Sequence, residues 1–177
     1  VELFLSQPEG NSPKDIRDKA IVELMYSTGL RVSEVINLKL SDINLADRCL
    51  TCNDTNKQRI VPFSEKAKKW LERYLDESRE ILVKKKETGM LFVNCHGTPM
   101  SRQGLWKIIK YYAQMADIDK DITPHMLRHS FAAHMAECGT DLKDIQKILG
   151  HSDITTTQIY RDITETSHKE GFLLNEK

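Results

Sequence analysis

The residues best suited to chemistry gather between Thr123 and Tyr160, in the runs T-P-H-M-L-R-H-S-F-A-A-H and L-G-H-S-D-I-T-T-T-Q-I-Y. His125 and Arg128 stand three apart behind Thr123-Pro124, a pair that opens helices, so they project from one helical face close to its N-terminus. The positive end of the helix dipole reinforces an imidazole and a guanidinium there, and the combination suits an anion such as phosphate. Leu127, Phe131 and Met135 fall on the other face, which is expected to be buried. His151 follows Leu149-Gly150, where a glycine lets a helix end in a tight loop, and Tyr160 comes nine residues later, behind Thr155, Thr156 and Thr157. Each residue alone also has an ordinary reading, as a solvated arginine, a structural histidine or a core tyrosine. His129, four residues after His125, raises a zinc site, but Met126 stands where the glutamate of an H-E-x-x-H motif belongs, so no metal is expected.

Several elements must position these groups. Ser12, Pro13 and Asp15 spell a helix start, and Ile16, Ala20, Ile21, Leu24 and Met25 come next at helical spacing up to Gly29. A second, short helix bears Val32, Val35 and Ile36, with Arg31 at its start, so Gly29-Leu30-Arg31 forms a sharp corner. Helical periodicity disappears from Arg48 to Phe63. There the runs Cys49–Cys52 and Arg59–Phe63 flank the polar Asn53-Asp54-Thr55-Asn56, and a β-hairpin is expected. Ser64 caps a long helix ending near Gly89, with Ala67, Trp70, Leu71, Tyr74, Leu75, Ile81 and Leu82 on its apolar stripe. A short strand at Leu91-Phe92-Val93 precedes a helix from about Ser101 that carries Leu105, Ile108, Ile109 and Tyr112. The helix opened by Pro124 runs to Gly139, another capped by Asp141 and Asp144 closes at Gly150, and a last one carries Thr155 to Tyr160. The fold class is therefore mainly α with a small antiparallel β-sheet, α+β.

A length of 177 residues with 40% hydrophobic side chains is enough for one domain with a real core. Lys+Arg and Asp+Glu both number 26, so no net field draws the whole molecule to a polyanion or an anionic membrane. A nucleic-acid partner has to rest on local placement of basic groups. The sequence has neither a long apolar run nor a signal-peptide pattern, so a soluble, intracellular, cytoplasmic protein without a membrane partner is expected. Cys49 and Cys52 form a C-x-x-C, but on a strand positions i and i+3 face opposite ways, and with Cys95 and Cys138 they read as ordinary reduced thiols. The chain begins at Val1 with a helical signal already under way at Leu3 to Leu5, which suggests a piece of a longer protein.

Taken in order, Gly29-Leu30-Arg31-Val32-Ser33-Glu34, His125-x-x-Arg128, Leu149-Gly150-His151 and Tyr160 resemble the catalytic boxes of the tyrosine recombinases of the phage integrase family, of the Xer type. The resemblance runs from about residue 13 to 163. It implies the tyrosine recombinase catalytic-domain fold and metal-independent DNA strand breaking and rejoining, with no cofactor. The Tyr160 hydroxyl would attack a DNA phosphate to give a 3′-phosphotyrosine and a free 5′-hydroxyl, and a second 5′-hydroxyl would reverse the step. Arg31 and Arg128 would fork onto the nonbridging oxygens, His125 would exchange the tyrosine proton, and His151 would hydrogen-bond a phosphate oxygen. The family usually places a lysine in a G-K-G-x-K-x-R hairpin turn, to protonate the leaving oxygen. Aligned on Arg59, that position here is Asp54. Lys57 matches the motif's second lysine and is the substitute for the general acid, or else a solvated turn residue or phosphate anchor.

The resemblance also implies an organisation: residues 1–12 link from an N-terminal DNA-binding domain, 13–163 are catalytic, and 164–177 form a tail. That tail, with Phe172, Leu173 and Leu174, would dock on a neighbouring protomer. The partners implied are double-stranded DNA, a homo- or hetero-tetramer on that DNA, and an accessory regulatory protein. Two other readings stand beside a site-specific recombinase or integrase: a type IB topoisomerase-like enzyme, and a catalytically impaired DNA-binding remnant of the family.

Overall fold

A capping box starts the helix on which the rest of the molecule is built. The Ser12 hydroxyl accepts from the Asp15 N–H at 3.2 Å, and the Asp15 carboxylate accepts from the Ser12 N–H at 3.3 Å. The computed structural model describes residues 2–8, 10–54, 57–84, 88–118 and 122–150. The chain runs through α1 (Glu2–Ser6), α2 (Pro13–Thr28), α3 (Val32–Asn37), a 3-10 turn (Leu40–Asp42), β1 (Ile43–Asn44), β2 (Cys49–Asp54) and β3 (Lys57–Pro62). It continues through α4 (Glu65–Arg73), a π-helical turn (Tyr74–Arg79), α5 (Glu80–Val83), α6 (Arg102–Met115), α7 (Pro124–Glu137) and α8 (Leu142–Leu149).

α2 is central, packed by α4, the π-helical turn and α7, which is why it buries charged as well as apolar residues. Buried charges need partners. Arg17 is paired with Asp18 at 2.5 Å and donates to the Val93 carbonyl at 3.2 Å, while Asp18 also accepts from the Tyr112 hydroxyl at 3.2 Å. Burial pushes the Tyr74 phenol up to about 12, and burial followed by the Asp18 carboxylate raises the Tyr112 phenol as well, so both are core groups unsuited to act as nucleophiles.

The sheet is antiparallel in the order β1-β2-β3. Leu50 pairs with Val61 and both are buried, while the neighbouring Ile60 faces outward, as a strand period of two requires. The strands extend further than the sequence suggests: Asn53 and Asp54 belong to β2, and the register sets Asp54 directly opposite Lys57. β1 is too short, at two residues, to leave a periodic signal.

Two further expectations are corrected. The helix after Ser64 is not regular: a π-helical turn adds a residue per turn, shifts the phase, and turns Ile81 outward at 60% exposure in place of the core position expected of it. Ser78 is buried instead and donates to the Pro13 carbonyl at 2.5 Å. Leu91-Phe92-Val93 is buried but forms no strand, making single bridges through Met90 to Lys39 and through Val93 to Pro99.

Most buried apolar residues form one cluster around α2, and Phe131, Ala132, Ile145 and Leu149 form a second between α7 and α8. Among the described residues no helix is long and apolar enough to cross a membrane. The expected helix over 155–160 lies outside the described residues, with His151 and Tyr160, as does the Lys57 side chain.

Candidate active site

The corner between α2 and α3 is built from backbone chemistry. Gly29 adopts φ 63°, ψ 22° and donates its N–H to the Met25 carbonyl at 2.9 Å, closing α2 with a left-handed residue. That reversal buries Leu30 and makes Arg31 the N-cap of α3. The Arg31 N–H donates to Glu34 Oε2 at 2.7 Å, and its guanidinium, 28% exposed, lies with Nη1 3.6 Å from Glu34 Oε1.

α7 delivers the second arginine and the histidine. The Thr123 hydroxyl accepts from the Met126 N–H at 3.2 Å, and Pro124 occupies the first turn. His125 is exposed, and Arg128 lies one turn deeper at 5% exposure. Arg128 is clamped by main chain: Nη1 donates to the Gly29 carbonyl at 2.6 Å and Nη2 to the Leu149 carbonyl at 2.7 Å. One guanidinium thus fixes the α2–α3 corner, α7 and the end of α8 relative to one another.

A third arginine, on β3, completes the frame. Arg59 Nε donates to the Ile148 carbonyl at 2.8 Å and Nη2 to Glu34 Oε1 at 2.8 Å. The last carbonyls of α8 carry the negative end of its dipole and lack partners within the helix, and two guanidinium groups from other elements satisfy them. Gly150 follows at φ 85°, a backbone conformation that favours glycine.

These elements enclose a cleft of about 440 Å³ lined in part by Arg31, Arg102, Trp106, Thr123, His125 and Arg128. Among the described residues no carboxylate lines it. Three guanidinium groups, an imidazole and the N-terminal end of α7 give it the donors and positive charge that suit an anion with several oxygens. Arg31, His125 and Arg128, predicted from the sequence, are therefore brought together. For Lys57 the structure gives the backbone alone, at the start of β3 across from Asp54.

Four residues here carry no role in the sequence reading. Arg102 and Trp106 lie one turn apart on α6, and Ser101 caps that helix by accepting from the Gly104 N–H at 3.0 Å. The readable signal was Trp106 falling outside the stripe of Leu105, Ile108, Ile109 and Tyr112; a large aromatic off the buried face is a candidate contact surface. Glu34 and Arg59 left no such signal, because their importance lies in partners distant in sequence.

Burial first, and then the neighbouring His125, hold the His129 ring below its ordinary value of 6.5. As pH falls below about 6.5 the unfolded chain takes up more protons than the folded one, so this residue costs stability there and nothing at higher pH. An NMR titration should therefore place the His129 midpoint below that of an unstructured histidine, and His129→Gln should flatten the loss of Tm between about pH 7 and 5. A midpoint at or above the ordinary value would contradict the burial of the ring.

The architecture is that of the tyrosine recombinase catalytic domain. The crystal structure of XerA recombinase matches with a TM-score of 0.82 at 32% identity, covering 99% of this chain and 63% of that one. That of XerH site-specific recombinase bound to palindromic difH substrate, a post-cleavage complex, gives 0.80 at 26% identity, covering 99% of this chain and 51% of that one. The chain belongs to the phage integrase family, whose profile matches residues 1–167. Its relatives are of the Xer type, as the four boxes implied. Tyrosine recombinase XerD of Halalkalibacterium halodurans is 48% identical over 173 residues, which are 97% of this chain and 58% of the relative. Tyrosine recombinase XerD of Lacticaseibacillus casei is 47% identical over 165 residues, 93% of this chain and 56% of the relative. The chain thus spans a little over half the length of these relatives.

Proposed function

We propose that this chain is the catalytic part of a site-specific DNA recombinase that cuts and rejoins strands through a 3′-phosphotyrosine on Tyr160. The observation that carries the proposal is the meeting of Arg31, His125 and Arg128 in one cleft free of carboxylates among the described residues. Arg31 and Arg128 hold the nonbridging oxygens, where the pentacoordinate transition state gathers charge. His125 accepts the phenolic proton as the tyrosine oxygen bonds to phosphorus, and His151 hydrogen-bonds a phosphate oxygen. The bond to the 5′-oxygen breaks, and that oxygen leaves with a proton supplied by Lys57. Attack by a second 5′-hydroxyl reverses every transfer, so no external energy source enters.

The same proposal places the protein in the cytoplasm, on double-stranded DNA, as a tetramer in which the 164–177 tail of one protomer docks on the next, open to an accessory regulatory protein. An apolar groove of about 460 Å³, walled by Tyr26, Phe63, Phe131, Met135 and Ile148 among others, offers Phe172, Leu173 and Leu174 a surface of matching character. Residues 1–12 serve as the link from an upstream DNA-binding domain, and 13–163 as the catalytic unit.

A second reading, a DNA-binding remnant of the family, is favoured by Asp54 standing at the usual lysine position and opposite Lys57 in register. One experiment separates the readings. The protein is incubated with an end-labelled pool of nicked duplexes of randomised sequence, covalent adducts are captured under denaturing conditions, and the modified peptide is mapped. The recombinase reading expects a nucleotide on Tyr160, and strand exchange between two copies of the captured duplex. DNA binding without an adduct establishes the remnant, and an adduct with plasmid relaxation but no exchange establishes a type IB topoisomerase-like enzyme.

A further inference from the structure

We propose that Arg59 is a positioning residue for cleavage, acting by holding the Glu34 carboxylate away from Arg31. The inference rests on the reading of Arg31 as a phosphate-binding group. Glu34 is nearly buried, its side chain 8% exposed, and a buried carboxylate binds whatever cation lies within reach. Two compete for the same oxygen. Glu34 Oε1 takes the Arg59 Nη2 donor at 2.8 Å, a charge-assisted hydrogen bond, whereas Arg31 Nη1 stands 3.6 Å away, an ion pair beyond hydrogen-bond distance. The other carboxylate oxygen is occupied by the Arg31 N–H at 2.7 Å, which keeps Glu34 beside that residue.

Arg59 does not line the cleft, so its effect passes through Glu34. It is held in place by its second bond, from Nε to the Ile148 carbonyl at 2.8 Å. Arg59 is thus anchored to α8, reaches Glu34 on α3, and sits on the strand that begins at Lys57. With Arg59 discharged, Arg31 is the cation among the described residues that Glu34 has left to pair with, and closing the remaining gap to it would neutralise the charge that the phosphate requires.

The test uses the duplex captured by the intact protein and follows single-turnover adduct formation beside DNA affinity. Arg59→Met, which keeps much of the stem but no charge, should cleave on the order of 10- to 100-fold more slowly with DNA affinity little changed. Adding Glu34→Gln should restore most of that loss, because a neutral amide no longer captures Arg31. A merely structural arginine gives the opposite result, a double variant as slow as or slower than Arg59→Met, and that outcome overturns the proposal. Should Arg59→Met melt too low to assay, Arg59→Lys serves, since an ammonium still competes for Glu34 but cannot keep the fork to Ile148. Near-native cleavage by the lysine variant supports the proposal, and a severe loss that Glu34→Gln does not repair refutes it. Arg31→Ala is the control on the underlying reading. If it cleaves like the native protein, the phosphate role of Arg31 fails. If it is inactive while Arg59→Met goes unrescued, the positioning role of Arg59 alone falls.

Discussion

On the proposed role of Arg128, Arg128→Ala should slow DNA cleavage by about 10²–10³ at saturating DNA while changing DNA affinity far less, because the interaction lost would belong to the transition state. The same substitution should lower stability, since the Gly29 and Leu149 carbonyls lose donors at 2.6 and 2.7 Å in a buried setting. Each buried acceptor left unpaired costs about 1–3 kcal/mol, so a total of roughly 2–6 kcal/mol is expected in a denaturant titration. Arg128→Lys separates the two contributions. A lysine retains the charge but presents a single ammonium, which cannot serve two carbonyls from separate nitrogens and still face the phosphate. It should recover part of the stability and little of the rate. Binding and cleavage weakened by equal factors in Arg128→Ala would remove this residue from the transition state and leave it a structural role only.

The second large effect is expected at Gly29. Its φ of 63° already disfavours any side chain, and an added Cβ would lie 2.6 Å from Phe131 Cδ1 and 2.7 Å from Leu149 Cδ2. Those two residues belong to the small cluster joining α7 to α8, so relieving the clash disturbs the packing between the two helices. The left-handed backbone costs about 1–2 kcal/mol and the overpacking about 1–3, giving roughly 3 kcal/mol for Gly29→Ala. Cleavage should fall as well, because Gly29 supplies a carbonyl to Arg128 and stands two residues from Arg31. An alanine variant that melts with the native protein would show that the corner is not held as described.

Helix starts were legible in the sequence because their chemistry is local. Ser12, Ser64, Ser101, Thr123 and Asp141 each accept from a backbone N–H of the first turn, and each was readable as a cap from its residue type and the helical spacing after it. The π-helical turn was not legible, since it depends on contacts from elsewhere: the Ser78 hydroxyl reaching Pro13, and the Tyr74 hydroxyl donating to the Leu91 carbonyl at 2.9 Å. Leu91-Phe92-Val93 misled for a related reason. Three apolar residues in a row signal burial, but whether they join a sheet depends on a partner that the run itself does not specify. At the site, Arg31, His125 and Arg128 were recognisable only as a set, for no single one exceeds the background of ordinary arginines and histidines. Glu34 and Arg59 stood in view within the same motifs, yet their coupling is a matter of register and of the distance between α3 and β3. No spacing rule reports that.

The two bonds of Arg128 also bear on when the cleft can exist. Its partner Gly29 precedes it by 99 residues and its partner Leu149 comes 21 after it, so neither contact can form while the polypeptide is still leaving the ribosome at α6. The cleft therefore depends on closure of the domain as a whole, with α8 and α7 both seated against the α2–α3 corner.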